Sequence, residues 1–168
     1  MANFIYEKLV YGAWQIRSTV MGGHGDTMVP LPKFTTVAGV PIDDLLDSEE
    51  IGEIVQKTRI GGAQIVNLLG DGSAYYAPAK STAVMVEAIL KDTNQIHSCA
   101  VMLKGEYGYS DIVSGVPVMI GANGGDKIIE MTLNDLQKTR FKNSVASVQD
   151  MVDTLTKNKF FEDLEENK

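Results

Sequence analysis

A chain of 168 residues with 44% hydrophobic content is long enough to bury a sizeable core and short enough to form one domain. Its 15 basic and 22 acidic residues leave a net charge of −7, which opposes a nucleic-acid backbone or an anionic membrane surface as partner. A single cysteine, Cys99, rules out an intramolecular disulfide; with no signal-like or long apolar run, the expected setting is a reducing cytoplasm and the expected role a small core residue.

In chain order, Ala2 to Leu9 carries Phe4, Ile5 and Leu9 at helical spacing without a capping residue, as if a helix were entered midway. Val10 to Met21 predicts a strand, because Trp14, Ile16, Ser18 and Val20 alternate with Gln15, Arg17, Thr19 and Met21. Trp14, the lone tryptophan, either fills a gap in the core or anchors a subunit contact. The strand delivers Gly22-Gly23-His24-Gly25-Asp26-Thr27-Met28-Val29-Pro30, where an ionisable ring sits in a glycine-rich turn that a small substrate could reach. That geometry suits proton transfer, while the plainer alternative is a loop histidine beside an Asx turn made by Asp26. Met28 to Val37 reads as an irregular strand or hairpin ending at Gly39, and Asp43 to Leu46 as a short helical turn.

Asp47 or Ser48 then caps a long helix, with Glu49 and Glu50 in its first turn. Ile51, Ile54, Val55, Thr58, Gly62, Ile65, Val66 and Leu69 follow at three- and four-residue steps and predict one buried face. The Gly61-Gly62 pair inside it implies close packing against another backbone. Neither Gly70-Asp71-Gly72 nor Gly121 to Gly125 has the strand and spacing of a phosphate loop. A second helix is predicted from Ser73 to Leu90, started or kinked at Pro78, with Val84, Met85, Ala88 and Ile89 inward.

Strand-like runs at Gln95 to Tyr107, Asp111 to Ile120 and Lys127 to Leu133 suggest an antiparallel sheet, with Pro117 at an edge or bulge and His97 a satisfied or exposed strand histidine. His24, His97 and Asp26 lack the close-spaced pair of a metal site, so no metal is expected. Asn134, with Gln137 three residues on, caps a last helix whose stripe is Phe141, Val145, Val148, Val152 and Leu155. Residues 162–168 read as an acidic tail following a domain at 1–161. The expected fold class is α+β, a twisted antiparallel sheet with about three long helices packed on it.

The nine residues Gly22 to Pro30 resemble the active-site signature of malate dehydrogenases of the lactate-dehydrogenase-like type; lactate dehydrogenases more often carry Glu where Gly23 stands. The likeness runs from Phe4 to about Phe161, through Leu31 to Pro41, Gly61 to Leu69, Ser73 to Ala79 and Gly105 to Gly108. In that family this stretch is the C-terminal catalytic and substrate-binding domain. The resemblance implies that His24 is the catalytic acid/base, with Gly23 and Ala74 at substrate-binding positions. It also implies that the family's orienting Asp and substrate-clamping Arg lie just before Met1, and that a second, mobile Arg and the NAD site belong to a nucleotide-binding half. No cofactor is therefore expected on this chain alone, although the complete family enzyme uses NAD.

Departures from the family pattern fall at Val10 to Thr19, Ile60, Gly125-Asp126 and Leu136 to Thr139. The expected partners are a nucleotide-binding half and further copies of the chain in a homo-oligomer. Two functions are compatible with these features. One is the catalytic half of an NAD-dependent malate dehydrogenase, inactive alone; the other is an excised or engineered non-catalytic domain, resurfaced on its former interface into a stable or self-associating scaffold.

Overall fold

The computed structural model describes residues 1–72 and 74–160, so the predicted acidic tail and Ser73, the predicted start of the second helix, lie outside the described residues. The first helix, α1 (Ala2–Leu9), ends where Val10 takes the left-handed conformation, φ 57°. The strand expected over Val10 to Met21 does not form. A 3-10 turn at Ala13–Gln15 precedes two separate two-residue strands, β1 (Ile16–Arg17) and β2 (Val20–Met21), which join different sheets. The buried side chains are Ile16 and Met21, five residues apart, an odd interval that one flat strand cannot bury on a single face. Trp14 is 75% exposed, which overturns the core-filling alternative within this chain.

β1 pairs antiparallel with β4 (Thr36–Val37), which pairs with β5 (Val40–Pro41), while β2 pairs with β3 (Val29–Pro30). Ile16 and Val37 join Ile5, Ile42, Leu46 and Ile54 in a small core that fixes α1 on the start of α2 (Ser48–Leu69). Asp47 caps α2, its Oδ1 accepting from Glu50 N at 2.9 Å while Glu50 Oε2 accepts from Asp47 N at 3.2 Å.

The α2 stripe is buried only in its first half. Ile65, Val66, Leu68 and Leu69 are exposed, Leu68 at 86%, because no element among the described residues covers the far end of this helix. The glycine pair is also not a backbone contact. A Cβ at Gly61 would meet the Phe4 ring at 3.3 Å, and one at Gly62 would meet nothing within 4 Å. In α3 (Tyr76–Leu90), Pro78 lies in the first turn, where a missing N–H costs nothing. Ala88 is buried, Val84 and Ile89 half-buried, and Met85 exposed.

The main sheet runs β6-β7-β8, all antiparallel: β6 (Gln95–Lys104), β7 (Ser110–Gly121) and β8 (Gly124–Ile128). Its inner face carries Cys99, Leu103, Ile112, Val116, Val118 and Ile120 against Phe141 and Val145 of α4 (Asp135–Lys157). β8 begins at Gly124 and stops at Ile128, earlier at both ends than the predicted run to Leu133. The cause at its start is a tight connection through Ala122 and Asn123, completed by Gly124 at φ 93°.

Pro117 occupies the central strand, two residues before a register shift at Met119/Ile120, so its expected place at an edge or bulge is corrected. Opposite it, Ile129 N donates to Pro117 O at 2.8 Å, but proline has no N–H to return the bond. Tyr107 supplies the missing donor. Its hydroxyl donates to Ile129 O at 3.0 Å and accepts from Met131 N at 2.9 Å. His97 is neither satisfied nor exposed: it is half-buried, with Nε2 inaccessible and without a hydrogen-bond partner among the described residues. The Asn134–Gln137 capping box of α4 forms as expected; of its stripe, Phe141 and Val145 are buried, while Val152 and Leu155 are exposed. No helix among the described residues is long and apolar enough to cross a membrane.

Candidate functional site

The histidine turn is anchored before it begins. Gly22, at φ 86°, exchanges two backbone hydrogen bonds with Gly115 of β7, 2.8 Å from Gly22 N to Gly115 O and 3.0 Å in return. Glycine is required at both ends of this contact. A Cβ on Gly115 would stand 2.5 Å from Gly22 O, and a Cβ on Gly22 would collide with Ser144 Oγ. Gly23 N then donates to Ser144 Oγ of α4 at 2.8 Å, and the turn closes with Met28 N donating to Gly25 O at 3.0 Å. On its far side, Arg59 Nε of α2 donates to Met28 O at 3.3 Å. Burial first, and then the nearby charge of Arg140, hold the Arg59 guanidinium below its ordinary pKa. Three elements, β7, α4 and α2, thus grip the backbone on both sides of one histidine.

His24 itself is exposed, and its ring makes no hydrogen bond or ion pair among the described residues. Asp26 is also exposed and forms no Asx turn; the closing bond is Met28 to Gly25. The imidazole borders a cleft of about 280 Å³ shared with Met21, Gly23, Met28, Ser98, Cys99 and Gly115. Cys99 is buried beneath this cleft, and burial raises its thiol pKa, so it remains protonated and unreactive at neutral pH. A rigid turn presenting an unencumbered imidazole to a cleft can deliver or accept one proton at a fixed point.

Of the sequence-predicted site residues, Gly23 and His24 lie together on this turn. Ala74 is half-buried in the connection between α2 and α3 and is not part of the cleft lining. Sequence reasoning missed Ser144, Gly115 and Arg59. Ser144 left a signal, since it occupies an inward position of the α4 stripe, three residues after Phe141 and four before Val148, where an apolar residue would be expected.

Neither glycine-rich loop is placed to cradle a phosphate. Gly70-Asp71-Gly72 follows the C-terminal end of α2, where the helix dipole repels phosphate, and Gly121 to Gly125 forms the β7–β8 connection. Among the described residues no group of three or more His, Cys, Asp or Glu side chains is placed to hold a metal ion.

Antiparallel sheets backed by helices, with one accessible imidazole held in a glycine turn, define an α+β domain suited to proton transfer. The family model for the lactate/malate dehydrogenase, alpha/beta C-terminal domain, matches residues 2–159, and the chain belongs to that family. It is 65% identical over 162 residues to a malate dehydrogenase of Sulfurimonas denitrificans, a match covering 96% of this chain and 51% of that protein. The solved malate dehydrogenase of Salinibacter ruber superposes with a TM-score of 0.91 at 43% identity, covering 99% of this chain and 53% of the other. A Cryptosporidium parvum lactate dehydrogenase, solved with lactic acid and nicotinamide adenine dinucleotide, gives 0.89 at 35% identity, over 92% of this chain and 50% of the other. The chain therefore spans about half the length of the relatives it matches.

Proposed function

We propose that this chain is the catalytic-domain half of an NAD-dependent malate dehydrogenase, with His24 as the acid/base, and that these residues do not turn over substrate until a nucleotide-binding half completes them. The observation that carries the reading is the exposed His24 ring, without a partner among the described residues, on a turn gripped by three elements. In its neutral form His24 would accept the C2 hydroxyl proton of malate; protonated, it would donate to the oxaloacetate carbonyl as that carbon becomes an alcohol. Hydride exchange at C2 is the chemistry a nicotinamide held elsewhere would supply. Gly23 leaves the approach to the ring free of side chain, and Ala74 would join the substrate wall only once the rest of the site assembles around it.

The alternative, a non-catalytic domain recoded on its former interface, is less well supported by Leu68, Leu69, Tyr76 and Leu90, which remain apolar and exposed. The same bare surface, with Trp14, supports self-association into a homo-oligomer, which light scattering at micromolar concentration would detect; a monomer mass would count against it. The single buried cysteine supports a cytoplasmic setting.

The test is to join the chain behind the first half of the Sulfurimonas denitrificans enzyme and follow NADH oxidation by oxaloacetate. Turnover is expected, and His24→Ala should lower it by roughly 100- to 10,000-fold. An active fusion indifferent to His24→Ala would overturn the assignment.

A further inference from the structure

We propose that Ser144 is a positioning residue for His24, one that fixes the histidine turn through the backbone of Gly23 without touching the ring; this rests on the reading of His24 as the acid/base. Ser144 is 0% exposed, and its Oγ accepts from Gly23 N at 2.8 Å while lying 3.5 Å from Thr27 Oγ1, to which it can donate. One hydroxyl thus spans the turn from the residue before His24 to the third residue after it.

Its behaviour differs from that of other helical hydroxyls in this chain. Thr58, Ser81, Thr82, Thr139, Thr154 and Thr156 each donate to the carbonyl four residues earlier, the usual local outlet for such a group. Ser144 instead turns away from its own helix to the histidine turn, 121 residues away in sequence from Gly23. The surrounding sequence makes room for this. Gly22 has no Cβ where Ser144 Oγ sits, and a Cβ on Gly23 would press on Val148, one helical turn beyond Ser144, at 3.1 Å.

A buried hydroxyl bridging two points of a turn restricts how far the residue between them can move. Reacting groups must be held within a few tenths of an ångström to gain from orientation, so loosening Gly23 would cost turnover more than substrate binding.

The experiment measures amide hydrogen exchange on the full chain, with Ser144→Ala and the similarly sized Ser144→Cys, whose sulfur accepts more weakly. In Ser144→Ala, Gly23 N–H should exchange about tenfold faster, while Gly115 N–H, bonded to Gly22 O, stays near its original rate; Ser144→Cys should fall between. Equal acceleration at Gly23 and Gly115, or none at Gly23, would overturn the proposal. In the fused enzyme, Ser144→Ala should lower kcat with KM for oxaloacetate nearly unchanged, and an unchanged kcat would also overturn it. The exchange result needs no catalysis, so an inactive fusion would count against the function of His24 and leave the Ser144 contact to be judged by exchange.

Discussion

Tyr107→Phe tests the claim that one hydroxyl repairs the gap left by Pro117 in the main sheet. The substitution keeps the ring, whose centroid lies 5.2 Å from that of Phe141, and removes only the oxygen. Ile129 O then loses its donor, because the residue opposite it is proline, and Met131 N loses its acceptor. A buried backbone group left unpaired costs about 1–3 kcal/mol; both groups here are only partly buried, so about 2 kcal/mol together is the expected loss. In a domain of this size that corresponds to a thermal midpoint lower by about 4–8 °C. Scanning calorimetry and urea unfolding would read both quantities. Pro117→Ala restores an N–H opposite Ile129 O, so in that background Tyr107→Phe should cost about 1 kcal/mol less, measured as a double-mutant cycle. A Tyr107→Phe loss below about 0.5 kcal/mol, or no coupling to Pro117→Ala, would refute the reasoning.

Gly22→Ala forces an alanine to φ 86° and drives its Cβ against Ser144 Oγ, so urea unfolding should register a loss of about 3 kcal/mol; a change below about 0.5 kcal/mol would mean the α4 contact is not close. Burial raises the Cys99 thiol pKa, so the folded chain keeps its proton longer than the unfolded chain does. That stability is complete below about pH 8.5 and is lost as pH rises through the folded value. The alkaline decline in urea midpoint should therefore be shallower in Cys99→Ala, and an identical decline would contradict the assignment. The native thiol should also alkylate far more slowly than the chain in urea, as free-thiol counting over time would reveal.

What the sequence made legible was local. Asp47 or Ser48 followed by Glu49 and Glu50, and Asn134 with Gln137, announced the starts of α2 and α4 because cap signals are written within four residues; that Asp47 and Glu50 close a reciprocal box emerged only in the structure. The Gly22 to Pro30 motif singled out His24 as a candidate because that turn is a contiguous signature. What was hidden depends on partners far along the chain. The α2 stripe is largely apolar, but among the described residues its packing against α1 and the small sheets falls in its first half, so Ile54 is buried and Leu68 is not. Pro117 is tolerated in a central strand because Tyr107, ten residues away, carries the needed donor. The alternation from Trp14 to Met21 suggested one strand, whereas the ladder breaks off after Arg17 and Ile16 and Met21 pair in separate ladders. Ser144 could be noticed as a polar residue in an apolar stripe, but its partners could not be named from spacing.

The most direct test of the account is NADH oxidation in the presence of oxaloacetate by the purified 168-residue chain alone, with His24→Ala as control. No turnover above buffer is expected, because on the function proposed above His24 relies on a hydride donor and a carboxylate clamp supplied by a nucleotide-binding half. Turnover by the chain alone that vanishes in His24→Ala would contradict that reading, and would mean that these residues form a cofactor and substrate site among themselves.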